Sequence, residues 1–168
     1  LDSDGGIKVL RGNLSPDGAL IKTSAASEDL LVSRGHAIVF ESKDEMLEKV
    51  NDESFLVEPD NVLVLRNAGP HGGPGFPEWG QIPLPKSLMA RGVSDVVRIS
   101  DARMSGTSFG TVVLHISPEA AIGGTLAVVR DGDVISLNVR ERSLTLEVDP
   151  NEIESRLSAL NKPKPHYD

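Results

Sequence analysis

Short apolar runs, separated by turn residues, dominate the hydrophobic pattern of the chain. Runs of four to six residues rich in valine, isoleucine and leucine occupy residues 7–10, 19–22, 37–40, 62–65, 96–99 and 111–116. Their length and their content of β-branched residues are typical of strands. The pattern therefore predicts a mainly β domain.

The most regular alternation lies between residues 126 and 148. An apolar run at 126–129 leads into Asp131-Gly132, a dipeptide favoured in two-residue hairpin turns because both positions reach φ > 0. Apolar and polar residues then alternate in two stretches, and the apolar positions are Ile135, Leu137, Val139, Leu144, Leu146 and Val148. A period of two predicts an antiparallel meander with one buried face.

Helical signals are few and short. Ser42 to Glu45 fits a capping box, and residues 85–91 form a second candidate. Ser117-Pro118-Glu119 opens a third, with proline at the first helical position and a Gly-Gly stop, and Asp149-Pro150 caps the last. Together the elements predict one β-barrel-like domain over residues 1–160, with a few short peripheral helices. Residues 161–168 are expected to be a frayed tail or a cut linker.

Charge and composition exclude several classes of function. Lys plus Arg is 17 and Asp plus Glu is 25, giving a net charge of −8, which argues against a general nucleic-acid binder. The chain has no cysteine, so it holds neither a disulfide nor an iron–sulfur cluster through its own thiolates. No apolar run approaches the ~20 residues of a membrane span. The acidic start lacks an initiator Met and the features of a signal peptide, so we expect a fragment or a processed chain in the cytoplasm.

Two polar segments are candidates for chemistry. The glycine-rich segment AGPHGGPGFPEWG at 68–80 contains one acid, Glu78, which suits a hard cation such as Mg²⁺ but supplies at most part of its oxygen ligands. The segment SDARMSGTSFG at 100–110 places Ser105 directly before Gly106. It does not match Gly-x-Ser-x-Gly, and a serine hydroxyl needs a neighbouring base or a metal ion to be deprotonated. From spacing, Ser105 also fits a turn serine, with Asp101 and Arg103 pairing across the turn.

The four histidines form no zinc-binding spacing. His115 lies in the predicted strand 111–116, where a half-buried structural histidine is the plainer interpretation. His71 lies in the glycine-rich segment and is the better site candidate.

Six segments in a fixed order carry a family resemblance. They read RGNLSPDG at 11–18 with Lys22 following, GHAIVF at 35–40, GPHGGPGFPE at 69–78, SDARMSGT at 100–107, HISPEAA at 115–121 and VRDGD at 129–133. In order and wording they resemble the C-terminal domain of the dihydroxy-acid and sugar-acid dehydratases, the family that includes 6-phosphogluconate dehydratase. The resemblance runs from about residue 5 to residue 157.

The resemblance implies a β-barrel with peripheral helices, of the swivelling β/β/α type. It also implies a separate N-terminal domain, absent from this chain, that holds an iron–sulfur cluster and most Mg²⁺ ligands. The same resemblance implies that Ser105 is the catalytic base, in the form of an alkoxide, and that Glu78 is a Mg²⁺ ligand. Thr107 is expected to hydrogen-bond Ser105 or the substrate, and His115 to support the site. A homo-oligomer is expected for the full protein.

Three classes of function are compatible with these residues, and the first is the dehydratase. The residues around Ser105, which include Ala102 and Met104, resemble those of the pentonate and related sugar-acid dehydratases more than those of the dihydroxy-acid dehydratases of branched-chain amino-acid synthesis. A non-catalytic swivelling or carrier domain, with His71 or His115 carrying phosphate, is a second class. A serine hydrolase using Ser105 is a third.

Overall fold

The computed structural model describes residues 6–160 except 74, 77 and 79–81. Within these residues one sheet of eight strands has the order β1-β2-β6-β5-β4-β3-β7-β8. The strands are β1 (Lys8–Leu10), β2 (Gly18–Ile21), β3 (Val32–Phe40), β4 (Val62–Leu65), β5 (Arg98–Ser100), β6 (Val112–Ser117), β7 (Val134–Asn138) and β8 (Ser143–Leu146). The predicted tail at 161–168 lies outside the described residues.

The two edges of the sheet meet next to β1 and β8. The Arg11 N–H donates to the Arg142 carbonyl, and the Leu144 N–H donates to the Arg11 carbonyl, both at 2.9 Å. Gly12 follows, and a Cβ there would lie 2.0 Å from the Leu144 carbonyl oxygen. A residue without a side chain is therefore required where the edges join. The sheet is nearly closed into a barrel, which confirms the predicted mainly β, barrel-like fold.

The middle of the sheet is parallel and buried on both faces. β3, β4, β5 and β6 pair in parallel, whereas the outer pairs are antiparallel. In β4, Val62 and Val64 pack in one hydrophobic cluster, whereas Leu63 and Leu65 pack in the other. A strand covered on both faces reads as a continuous apolar run rather than an alternating one, as β4 does.

Within the described residues, three short α-helices pack around the sheet. They are α1 (Lys43–Asn51), α2 (Lys86–Ala90) and α3 (Pro150–Ser158). The Ser42 side chain accepts the Glu45 N–H, and the Asp149 side chain accepts the Asn151 N–H, so both predicted caps are confirmed. On α1, Met46 and Val50 are buried, and they belong to the same hydrophobic cluster as Leu63 and Leu65 of β4.

The predicted strand at 126–129 is wrong, and only the β7–β8 hairpin of the meander forms. Residues Thr125–Val128 form a 3-10 helix instead. Arginine side chains take the carbonyls of this segment: Arg66 donates to Ala127 and Val129, and Arg156 donates to Val128. The segment therefore satisfies its backbone without a neighbouring strand.

The predicted helix after Ser117 is also shorter than expected. The Ser117–Pro118 peptide bond is cis, and only a 3-10 turn at Ala120–Ile122 follows. Gly123 ends this turn in the left-handed region at φ +93°, where glycine carries no steric penalty.

Candidate active site

Two loops meet where neighbouring parallel strands end. β4 leads into the glycine-rich segment, and β5 leads into the turn 101–110, which we call the Ser105 turn. Because β4 and β5 pair in parallel, their carboxyl ends lie at the same edge of the sheet. Loops placed in this way by a rigid sheet commonly carry functional side chains.

Ser105 is partly exposed within its turn. Its Oγ lies 3.0 Å from Thr107 Oγ1 and also accepts the Thr107 N–H at 3.3 Å. The Ser108 N–H donates to the Ser105 carbonyl at 3.1 Å, and the Lys22 ammonium donates to the Gly106 carbonyl at 3.0 Å. The turn thus orients the Ser105 hydroxyl, and the Lys22 ammonium binds the carbonyl of the next residue. The catalytic roles of Ser105 and Thr107 stay predictions.

Asp101 ties the Ser105 turn to its neighbours. The predicted pairing of Asp101 with Arg103 is not what the structure shows. The buried Asp101 carboxylate accepts the Ala68 N–H and the Ala120 N–H, both at 2.9 Å. Burial raises the pKa of Asp101, and the nearby Glu119 carboxylate adds to this effect. Asp101 therefore joins three segments at the base of the site.

Arg103 pairs instead with Glu78. Its Nη1 lies 2.9 Å from Glu78 Oε1, and the two residues also form a backbone bridge. The Phe76 ring packs beside the Arg103 guanidinium. Glu78 thus lies along the Ser105 turn, although it is 25 positions away from Arg103 in sequence.

The fit of a metal ion to these residues is partial. Within the described residues, no group of three His, Asp or Glu side chains is arranged to hold a metal ion. Mg²⁺ prefers about six oxygen ligands, so Glu78 is suited to supply one of them but does not form a site. The absence of cysteine means that an iron–sulfur cluster would take its protein thiolates from elsewhere.

Glu119 holds the start of the glycine-rich segment. Its buried carboxylate accepts the His71 N–H at 3.0 Å and the Gly72 N–H at 3.3 Å. A Cβ on Gly69 would lie 2.3 Å from Glu119 Oε2, so this approach requires glycine. The His71 ring itself is largely exposed, with Nε2 4.0 Å from Glu119 Oε1. Glu119 was not among the predicted site residues, because in the sequence it looks like an ordinary acid at a helix start after Ser-Pro.

A buried ion pair holds the far end of the Ser105 turn. Arg98 Nη2 lies 2.8 Å from Asp95 Oδ1, and the two side chains are 5% and 6% exposed. Arg98 also donates to the Phe109 carbonyl at 3.3 Å, and Asp95 accepts the Thr111 N–H at 2.9 Å. A Cβ on Gly110 would lie 2.0 Å from Arg98 Nη2. The pair therefore determines where the turn rejoins the sheet.

His115 contacts the Ser105 turn from β6. Its Nε2 accepts the Met104 N–H at 2.9 Å, and the edge-to-face contact with Phe76 has a ring separation of 5.9 Å. Burial lowers the pKa of His115, and the positive charge of Arg103 lowers it further. The neutral imidazole therefore accepts a hydrogen bond from Met104, the residue directly before Ser105.

Fold and site together define a β-barrel domain whose loop edge carries a serine and a carboxylate. The family model for the dihydroxy-acid/6-phosphogluconate dehydratase C-terminal domain matches residues 1–167. The chain belongs to this family, which confirms the resemblance found in the sequence.

Curated relatives extend this assignment. Over 94% of this chain, the sequence is 52% identical to L-arabinonate dehydratase of Rhizobium leguminosarum bv. trifolii. Over 96% of this chain, it is 53% identical to L-arabonate dehydratase of Azospirillum brasilense. It is 41% identical to dihydroxy-acid dehydratase of Acetivibrio thermocellus over 96%. It spans only 27%, 28% and 28% of these three proteins. None of the helices in the described ranges is long and apolar enough to cross a membrane.

Proposed function

We propose that this chain is the C-terminal domain of a hydro-lyase that dehydrates a 2,3-dihydroxy sugar acid to a 2-keto-3-deoxy acid, with Ser105 as the base. The observation that carries the proposal is the oriented Ser105 hydroxyl on the same turn as Arg103, which binds Glu78. The higher identity to arabonate dehydratases than to the dihydroxy-acid dehydratase favours an aldonate substrate. This family assignment favours dehydration over the carrier and hydrolase hypotheses.

In the proposed reaction, Ser105 Oγ takes the proton from C2 of the substrate. The electron pair of the broken C2–H bond forms the C2=C3 double bond of an enol as the C3–O bond breaks. The departing hydroxide takes up one proton, in net terms the one that Ser105 removed, and leaves as water, and the enol tautomerises to the 2-keto acid. The deprotonated Oγ is stabilised by two donors of one residue, the N–H and the hydroxyl of Thr107. Hydrogen bonds to the charged form of a group lower its pKa, which is the direction that a serine base requires.

Two metal centres are expected in the complete protein. When bound, Mg²⁺ and an iron–sulfur cluster would supply Lewis acidity at the substrate oxygens. Glu78 is the residue of this chain that would ligate Mg²⁺, and Arg103 holds its carboxylate alongside the Ser105 turn. The cluster thiolates and the remaining Mg²⁺ ligands would come from an N-terminal domain of the same protein, and the full protein is expected to be a homo-oligomer.

The test is Ser105→Ala in the full-length enzyme. Loss of the base is expected to lower turnover by about 10²–10⁴-fold and to abolish exchange of the substrate C2 hydrogen with deuterated solvent. Iron and Mg²⁺ contents should be unchanged. Ser158→Ala, at an exposed position on α3, is the matched control. Wild-type turnover and exchange in Ser105→Ala would assign the base to another residue.

The alternative substrate class is the 2,3-dihydroxy-3-methyl acids of branched-chain amino-acid synthesis. The similarity to a dihydroxy-acid dehydratase is the reason to test this class. Comparison of kcat/KM for L-arabonate and for a dihydroxy-methyl acid separates the two. A preference for the methyl acid would move the chain to that branch of the family without changing the role proposed for Ser105.

A further inference from the structure

The imidazole of His115 reaches the Ser105 turn because β6 is bulged. Pairing between β2 and β6 joins Gly18 to Ser117 and Leu20 to Leu114, with a register shift between them. Two steps along β2 therefore oppose three steps along β6. Bulges re-aim side chains and are common next to active sites.

His115 lies within this bulge in the left-handed region, at φ +54°. Such a conformation is unfavourable for a residue with a Cβ and persists only where the surroundings enforce it. The bulge turns both ends of His115 toward one segment. Its N–H donates to the Ala102 carbonyl at 3.0 Å, and its Nε2 accepts the Met104 N–H at 2.9 Å.

These contacts specify the state of the ring. Nε2 accepts a proton-bearing N–H, so it has no proton of its own, and a neutral ring carries its proton on Nδ1. The positive charge of Arg103 in the Ser105 turn disfavours protonation of the imidazole and so lowers its pKa. Arg103 is itself paired with Glu78 of the glycine-rich segment. Phe76 packs against the ring edge-to-face.

We infer that His115 is a positioning residue for Ser105: by accepting the Met104 N–H, its neutral imidazole sets the backbone from which the Ser105 hydroxyl projects. This inference rests on the proposed function of Ser105. Protonation of Nε2 removes the acceptor. The alignment of Ser105 should therefore be lost as the pH falls through the pKa of His115, which is lowered from 6.5 by burial first and by Arg103 second.

The experiment compares variants of the full-length enzyme. His115→Phe keeps a planar ring without an acceptor, whereas His115→Gln keeps an acceptor that does not titrate. His36→Gln, at an exposed histidine of β3, is the control, and Ser105→Ala is assayed in parallel. The readouts are kcat, KM, C2-hydrogen exchange and the pH profile of kcat, with circular dichroism to check folding.

His115→Phe is expected to lower kcat and C2 exchange by about 10–100-fold with KM little changed, because small misplacements of a reacting group carry costs of this order. His115→Gln should recover most of kcat and lack the acidic limb that wild type shows. A purely structural role would lower thermal stability equally in both variants without this difference in kcat.

Equal kcat in His115→Phe and wild type, or equal losses in the Phe and Gln variants, would overturn the inference. If His115→Phe does not fold, an unchanged acidic limb in His115→Gln overturns it, and loss of that limb supports it. Full C2 exchange in Ser105→Ala would instead remove the proposed function, and this inference with it.

Discussion

Among the substitutions considered at the site, we expect those that break the buried Asp95–Arg98 pair to lower the free energy of unfolding most. Asp95→Asn removes the counter-charge of a guanidinium that is 5% exposed. Breaking a buried pair from one side costs about 3–5 kcal/mol, because it leaves an uncompensated charge in the interior. The Asn amide oxygen still accepts one hydrogen bond, so we expect about 3 kcal/mol for Asp95→Asn and about 5 kcal/mol for Asp95→Ala.

Urea titration of the 168-residue chain, followed by far-ultraviolet circular dichroism, measures this loss. With a slope of about 1–3 kcal/mol per molar urea, a loss of 3 kcal/mol lowers the midpoint by about 1–3 M. Glu58→Gln is the control, because Glu58 forms an exposed pair with Arg91 at 2.9 Å. Exposed pairs contribute about 0–1 kcal/mol.

The pH dependence of the same titration gives an independent check. Burial raises the pKa of Asp95, but hydrogen bonds from Ser27 and Thr111 and the charge of Arg98 outweigh it, so the pKa is lowered from 3.8. A lowered carboxylate pKa stabilises the fold above 3.8, and that contribution is lost as pH falls through the native value. The difference in the free energy of unfolding between wild type and Asp95→Asn should therefore become smaller below pH 3.8. A loss for Asp95→Asn as small as that for Glu58→Gln would refute the reasoning.

Three further predictions concern the site. Glu78→Gln in the full-length enzyme should weaken Mg²⁺ binding and leave the melting temperature unchanged, with Glu58→Gln as the matched control; normal activity at limiting Mg²⁺ would exclude Glu78 as a ligand. Gly69→Ala should lower the melting temperature of the chain, because its Cβ would lie 2.3 Å from Glu119 Oε2. Gly106→Ala should leave the melting temperature unchanged, because its Cβ meets no described atom within 4 Å. If the Gly69→Ala and Gly106→Ala melts coincide, the assigned contact is wrong. The isolated chain should melt cooperatively. Because it has no cysteine, it should bind no iron–sulfur cluster and show no dehydratase activity. Turnover of a sugar acid by the isolated chain would contradict the proposal that an N-terminal domain supplies the cluster ligands.

Local chemistry was readable from the sequence wherever nearby residues decide the structure. The run 62–65 became β4 with the same bounds, because a buried parallel strand is apolar throughout. Ser42 and Asp149 cap their helices, because a cap needs only a side chain and an N–H two or three residues away. The six ordered segments were also sufficient to assign the family.

Contacts between distant segments were decided by the tertiary structure. The run 126–129 had the pattern of a strand. Its carbonyls instead accept hydrogen bonds from Arg66, which directly follows β4, and from Arg156 of α3. Arg103 was expected to pair with Asp101, two residues away, yet it binds Glu78 from another loop. The sequence determined which residues carry charge, polarity and backbone freedom. Their partners depended on the parallel pairing of β4 and β5, because strand order brings together loop ends that no local pattern relates.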